Sequence, residues 1–207
     1  MRWMQVNHPD KHPKGGAPSF TDHRGNRAWP YEEETHPTHW TAERAKAFLR
    51  KYDGDAPWLL KFSLHRPHPP FDAPKRLIDY YKVQDLPKPV VGEWAEKKFG
   101  NATGSIYNSP SMSIGHYPDD EIRDSRAAYY AAITHVDEKI GEVLDVLEER
   151  GELENTLILF TSDHGDMMGD HHLWRKVYPY EPSACVPMIV RWPEALKLPM
   201  KRGQKLE

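Results

Sequence analysis

Apolar residues recur at alternating steps of four and three through Tyr129, Ile133, Val136, Ile140, Val143 and Leu147, the spacing of an amphipathic helix. The pattern predicts one long helix from Asp119 to Arg150, with Gly151 at the C-terminal cap position. About 30 helical residues span roughly 45 Å, enough to cross a whole sheet. A shorter helix is predicted from Ala42 to Tyr52, capped by Thr41, with Ala45, Phe48 and Leu49 on one face. Another is expected near Lys75–Lys82. Continuous apolar runs at 57–63, 156–162 and 186–191 read as short buried strands. Residues 1–37 show no sustained periodicity and read as an irregular arm, while the Gly/Asn/Ser-rich stretch Gly100–His116 reads as a long surface loop.

Strand, long helix, strand is the rhythm of a parallel α/β sheet with crossover helices. Such a sheet is normally covered on both faces, and three short strands beside this much loop do not supply the cover. The expectation is that part of the sheet lies outside this sequence.

Composition narrows the picture. With 207 residues there is room for one domain, yet only 38% of them are hydrophobic and 19 are proline, so long surface loops should decorate a smaller core. A formal charge of −3, with bases and acids interspersed, gives no case for nucleic acid as a partner. No run approaches transmembrane length, and residues 1–9 carry no apolar signal core. Cys185 is the only cysteine, which excludes an internal disulfide and a cysteine-based zinc site; it is expected to be a small core residue.

Chemistry concentrates at two strand ends. The run Thr156–Ser162 stops and delivers Asp163, His164 and Gly165, followed by Asp170, His171, His172 and Lys176. That many ionisable groups on one loop are costly unless solvated or used. Carboxylates alone would suit Ca²⁺ or Mg²⁺, and the adjacent imidazole tilts the pair Asp163–His164 toward Mn²⁺ or Zn²⁺. Two ligands complete no coordination sphere, so other segments must contribute. The second stretch is His65-Arg-Pro-His68-Pro-Pro, after another apolar run. If both strands are parallel, both loops leave the same sheet edge and His68 and Asp163 share a pocket. A proline-locked histidine suits a general acid, because its orientation is fixed before substrate arrives. Lys176 could bind an anionic substrate as a point charge.

The run TSDHGDMMGDHHLWRK, then Tyr180-Glu181 and Val186–Arg191, resembles the type I sulfatases of the alkaline-phosphatase superfamily, and so does PWLLKFSLHRPHPPFDAP. The likeness covers about residues 38–193 and implies a partial alkaline-phosphatase-like parallel-sheet α/β sandwich. It further implies metal-assisted hydrolysis of a small-molecule or glycan sulfate ester by a formylglycine nucleophile. By that likeness Asp163 and His164 would be metal ligands, usually to Ca²⁺; the family often has Asn at the position of His164, which leaves Mn²⁺ as the other candidate. His68 would assist the leaving group, Lys176 would bind the sulfate, and Asp170 and His171 would lie at the pocket wall.

The departures are the family's paired N-terminal aspartates and its Cys/Ser-x-Pro nucleophile motif. Cys185-Val186-Pro187 is a near match, but Met188 and Ile189 follow where Ser and Arg are required. The chain is therefore expected to be the central part of such a domain, at 38–193, with a truncated segment at 194–207. It would lack the N-terminal strands and the C-terminal subdomain, and the remainder of the same domain would be its partner. Alone it should show no turnover on an aryl sulfate and weak or no metal affinity. The alternatives are a phosphonate or phosphodiester hydrolase of the same superfamily and a non-catalytic remnant.

Overall fold

The computed structural model describes residues 28–109 and 111–197; most of the expected arm at 1–37 and of the segment 194–207 lies outside the described residues. The first long element is α1, Pro37–Lys51. It starts four residues before Thr41, because Pro37 fits the first turn and the His36 side chain accepts the Thr38 N–H as the N-cap. Thr41 sits inside the helix, its hydroxyl bonded back to the Pro37 carbonyl. Helix α2, Lys75–Lys82, falls where its pattern places it, and α3, Glu93–Phe99, is a further short helix.

The expected loop at 100–116 is instead a hairpin. Strands β1, Gly104–Asn108, and β2, Met112–His116, pair antiparallel. The Gly/Asn/Ser composition hid it, because much of its stability comes from a third strand rather than from its own residues. Helix α4, Asp119–Glu149, is the long helix the periodicity demands. Strand β3, Ile158–Thr161, follows it, then β4, Leu173–Arg175, the short helix α5, Glu181–Ala184, and β5, Met188–Arg191. β4 adds to β2 in a three-stranded sheet, and β3 pairs with β5 in a two-stranded one.

Every strand-to-strand pairing among the described residues is antiparallel. The chain turns back through α5 before β5 and needs no crossover to pair with β3. Residues 57–63, expected as a strand, form no ladder among the described residues. They keep a strand's alternation nonetheless: Trp58, Leu60 and Phe62 are half-buried while Leu59, Lys61 and Ser63 are exposed. Trp58, Leu60 and Phe62 pack on Ala42, Leu49, Val143 and Val146, joining this extended segment to α1 and α4.

The apolar stripe holds along the C-terminal half of α4, where Val143 and Leu147 are buried, but the N-terminal half buries smaller residues. Ala127, Ala128, Ala131 and Ala132 are buried, whereas Ile133 is 39% exposed. Alanines let α2 and the chain around Phe71 approach the helix closely, so small residues, not the largest ones, mark the contact. Further along the same face His135 and Lys139 are buried, with Glu33 and Glu142 as charged neighbours. Cys185 is exposed rather than in the core, since it follows the one-turn helix α5 before β5 begins.

Candidate active site

The first arm of the site is the turn after the extended segment. Prolines 67, 69 and 70 exclude helix and ladder, and the Arg66–Pro67 and Pro69–Pro70 bonds are cis. Pro69, Pro70 and Phe71 are buried, so the turn is pinned to the core at one end. The His68 N–H closes it onto the His65 carbonyl at 3.1 Å. The His68 ring is half-buried, with Nδ1 2.9 Å from the Pro69 carbonyl. A carbonyl can only accept, so Nδ1 carries the proton and the neutral ring presents a bare Nε2. That nitrogen lies 2.7 Å from Lys176 Nζ, which donates to it.

The second arm leaves β3 at Ser162. Asp163 is exposed, its side chain 88% accessible. His164 Nδ1 is 2.7 Å from the Gly165 carbonyl, so by the same reasoning its Nε2 is the unprotonated nitrogen. Nε2 stands 3.7 Å from Asp163 Oδ2, and the two lone-pair donors face each other. Gly165 is required by space: a Cβ there would come 2.0 Å from the Pro182 carbonyl oxygen. Its N–H donates to Ser183 at 2.9 Å, tying the Asp-His end to α5.

Asp166, not singled out from the sequence, closes the loop that brings Lys176 to this end. Its Oδ1 accepts the Met168 and Arg175 N–H groups, each at 3.0 Å, and the Met167 N–H donates to the Arg175 carbonyl at 2.8 Å. Ten residues therefore fold back on themselves and deliver Lys176 beside the strand end it left. The backbone is held in the left-handed region at Met168, His171, His172, Arg175 and Val177, a concentration of strained non-glycine positions typical of functional loops. The sequence signal for Asp166 was present: a carboxylate next to Gly165, ahead of the Met-Met-Gly turn, is suited to receive backbone N–H groups.

The two arms meet. The His68 and His164 ring centroids are 6.1 Å apart, and the His65 ring lies tilted against His68, with centroids 4.7 Å apart. Burial pushes the Lys176 ammonium pKa down from its ordinary value, with Asp166 and Asp163 opposing. Burial also lowers that of His68; the Pro69 hydrogen bond opposes it and the positive charges of Lys176, His65 and His164 add to it. The two shifts act oppositely on a proton between the two nitrogens: the first makes Lys176 a readier donor, the second makes His68 Nε2 a weaker acceptor and, once protonated, a stronger acid.

Asp170 and His171 belong to a neighbouring network. Asp170 Oδ1 accepts the Val90 N–H at 3.2 Å and Arg126 at 3.3 Å, and His171 Nδ1 accepts the Gly92 N–H at 3.0 Å. The His171 ring sits 5.5 Å from Trp94 and 4.9 Å from Tyr180. These residues anchor the 88–94 segment to the loop. Asp163 and His164 have a donor set suited to a divalent ion, and the Gly165 hydrogen bond orients the imidazole as metal-bound histidines usually are. Among the described residues no group of three or more such side chains could hold an ion, so further ligands would have to come from elsewhere.

The architecture has close counterparts. The chain aligns with the arylsulfatase of Clostridium perfringens at 45% identity over 86% of its own length and 36% of that protein. It aligns with the choline-sulfatase of Rhizobium meliloti at 37% identity, over 66% of its own length and 27% of that protein. It superposes on the phosphonate monoester hydrolase of Agrobacterium radiobacter with a TM-score of 0.72 and 26% identity, covering 93% of this chain and 42% of that one. It thus spans roughly a third of the length of the curated relatives it matches. The profile of the Sulfatase family matches residues 2–204, a stretch that holds both arms of the site, and the chain belongs to that family.

Proposed function

We propose that this chain carries the leaving-group and anion-binding half of a centre that hydrolyses sulfate esters. The observation behind the reading is the 2.7 Å contact between Lys176 Nζ and His68 Nε2, with His164 one ring-width away. A sulfate ester is an anion that leaves an alkoxide or phenoxide when its S–O bond breaks. Lys176 supplies positive charge where the anion sits, and partial burial makes that charge count for more than it would in water. His68, when protonated at Nε2, gives that proton to the departing oxygen, which keeps the S–O electron pair, and Lys176 keeps its own proton and charge. The turn fixes the ring beforehand, so little ordering is needed at the moment of reaction.

Asp163 and His164 Nε2 would hold a divalent ion, Ca²⁺ by family resemblance or Mn²⁺ by the imidazole, whose chemistry is to neutralise sulfate charge as a Lewis acid. The nucleophile, a formylglycine by the same resemblance, would come from polypeptide beyond these residues. Exposed apolar surface supports further polypeptide in the domain: Leu59 is 94%, Met188 69%, Ile189 61% and Leu159 56% accessible. Three of these lie on β3 and β5, a lone two-stranded sheet of a kind that is marginal in water without cover. Among the described residues no helix is long and apolar enough to cross a membrane.

The likeness to a phosphonate monoester hydrolase favours one second reading, in which the same half-site serves a phosphonate ester. Titration of the ¹⁵N-labelled chain with inorganic sulfate and with methylphosphonate separates the two. Sulfate should shift the His68 and Lys176 resonances more strongly, and Lys176→Met should abolish the response. A stronger response to methylphosphonate supports the second reading, and no response to either anion at these residues overturns both.

A further inference from the structure

Asp72 lies outside the proposed chemistry, four residues past His68, yet it is 2% exposed and ionised. Its two oxygens receive Arg66 Nε and Nη2, each at 2.6 Å, a bidentate pair whose side chains are 9% and 3% accessible. His36 Nε2 approaches Oδ1 at 3.4 Å. The His36 tautomer is fixed from its other side: Nδ1 accepts the Thr38 N–H at 3.1 Å, so the proton is on Nε2 and points at Asp72. The His36 ring is fully buried, with Trp29 and His135 edge-on at 4.9 and 4.8 Å.

This arrangement does more than satisfy a buried charge. Arg66 and Asp72 flank the turn on both sides of His68, and their fork fixes separation and orientation together, which a single-point contact would not. His36 caps α1, so the fork is referred to a helix that packs on α4 and not to the turn alone. Burying an ion pair is weak evidence of stabilisation, since an apolar pair of similar volume often does as well. Its geometric value is the better explanation here.

We infer that Arg66, Asp72 and His36 form a positioning relay that holds the His68 ring in the Nδ1-protonated orientation facing Lys176. The inference rests on the reading of His68 given above, but its consequence is visible without turnover. The relay acts through the turn: with the fork closed, the Pro69 carbonyl stays at Nδ1; with it open, the turn relaxes and the ring samples both tautomers.

The test is long-range ¹H–¹⁵N NMR of the histidine rings in the whole chain at a pH where they are neutral, compared with Asp72→Asn and Arg66→Lys. Asp72→Asn keeps the volume and removes the charge; Arg66→Lys keeps the charge and removes the fork. In the unmodified chain His68 should show one tautomer, protonated at Nδ1, with Nε2 coupled to Lys176. Both variants, shown folded by circular dichroism, should give mixed tautomers at His68 while His172 keeps its signature. Should Asp72→Asn fail to fold, Arg66→Lys decides alone. An unchanged His68 signature in either folded variant overturns the relay. Failure of the sulfate titration with a relay-dependent tautomer would sink the functional reading and leave the relay standing.

Discussion

Gly165→Ala is the substitution whose consequence follows most directly from the coordinates. The added Cβ would lie 2.0 Å from the Pro182 carbonyl oxygen and 3.0 Å from its carbon. A relaxed carbon–oxygen contact is about 3.3 Å or more. Relief therefore needs a displacement of about 1 Å between two backbone segments, with no flexible side chain to absorb it. Overpacking of this kind costs about 1–3 kcal/mol. The Gly165 N–H bond to Ser183 would be lost or lengthened, for about another 1 kcal/mol net. The total, about 2–4 kcal/mol, corresponds to a fall in Tm of about 4–16 °C for a chain of this size. Urea unfolding at two wavelengths, with amide exchange at Gly165, measures both the global and the local loss. A variant within about 0.5 kcal/mol of the parent, with Gly165 still protected, would refute the claim that this glycine is required by contact with α5.

Other perturbations have equally definite expectations. Burial pushes His135 down to about 3, so the folded state stays neutral while the unfolded state protonates near 6.5. Its contribution is complete above pH 6.5 and is lost as pH falls from there toward 3, at about 1.4 kcal/mol per pH unit; His135→Gln should flatten that part of the denaturation profile. Burial alone would raise the Asp72 carboxyl, but hydrogen bonds from His36 and Arg66 outweigh it and hold it at about 2. That contribution is present above about pH 4 and disappears toward pH 2, so Asp72→Asn should lose stability at neutral pH and converge with the parent in acid. Trp174→Ala removes a side chain that is 1% exposed and bonded to the Gly115 carbonyl, and should cost about 3–5 kcal/mol in chemical denaturation.

Strong periodicity and abrupt strand ends made much of this protein legible from sequence. The 31 residues of α4 were announced by their spacing, and the two chemical stretches stood out because packed cores do not concentrate histidine, aspartate and proline in this way. His68, His164 and Lys176 do converge. The convergence is held by features the pattern did not show: a fold-back latched by Asp166, and a turn after an extended segment that forms no ladder among the described residues. The hairpin of β1 and β2 was missed because its support is tertiary, through Leu173 and Trp174 of β4. On α4 the stripe was legible at Val143 and Leu147 but not at Ile133, because hydrophobicity ranks isoleucine above alanine, whereas close helix approach ranks them the other way. His36, Arg66 and Asp72 gave no signal, since nothing in a linear sequence shows that a helix cap and a turn 30 residues later share one buried charge.

The central claim is that two loops far apart in sequence make one anion and metal site. Its most direct test is a titration of the labelled chain with 4-nitrophenyl sulfate in the presence of Mn²⁺, read at His68, His164 and Lys176. A single binding curve should describe all three, with Mn²⁺ broadening centred on Asp163 and His164 and lost in Asp163→Asn. Separate curves at His68 and His164, or broadening centred on His171 or His116 instead, would contradict it.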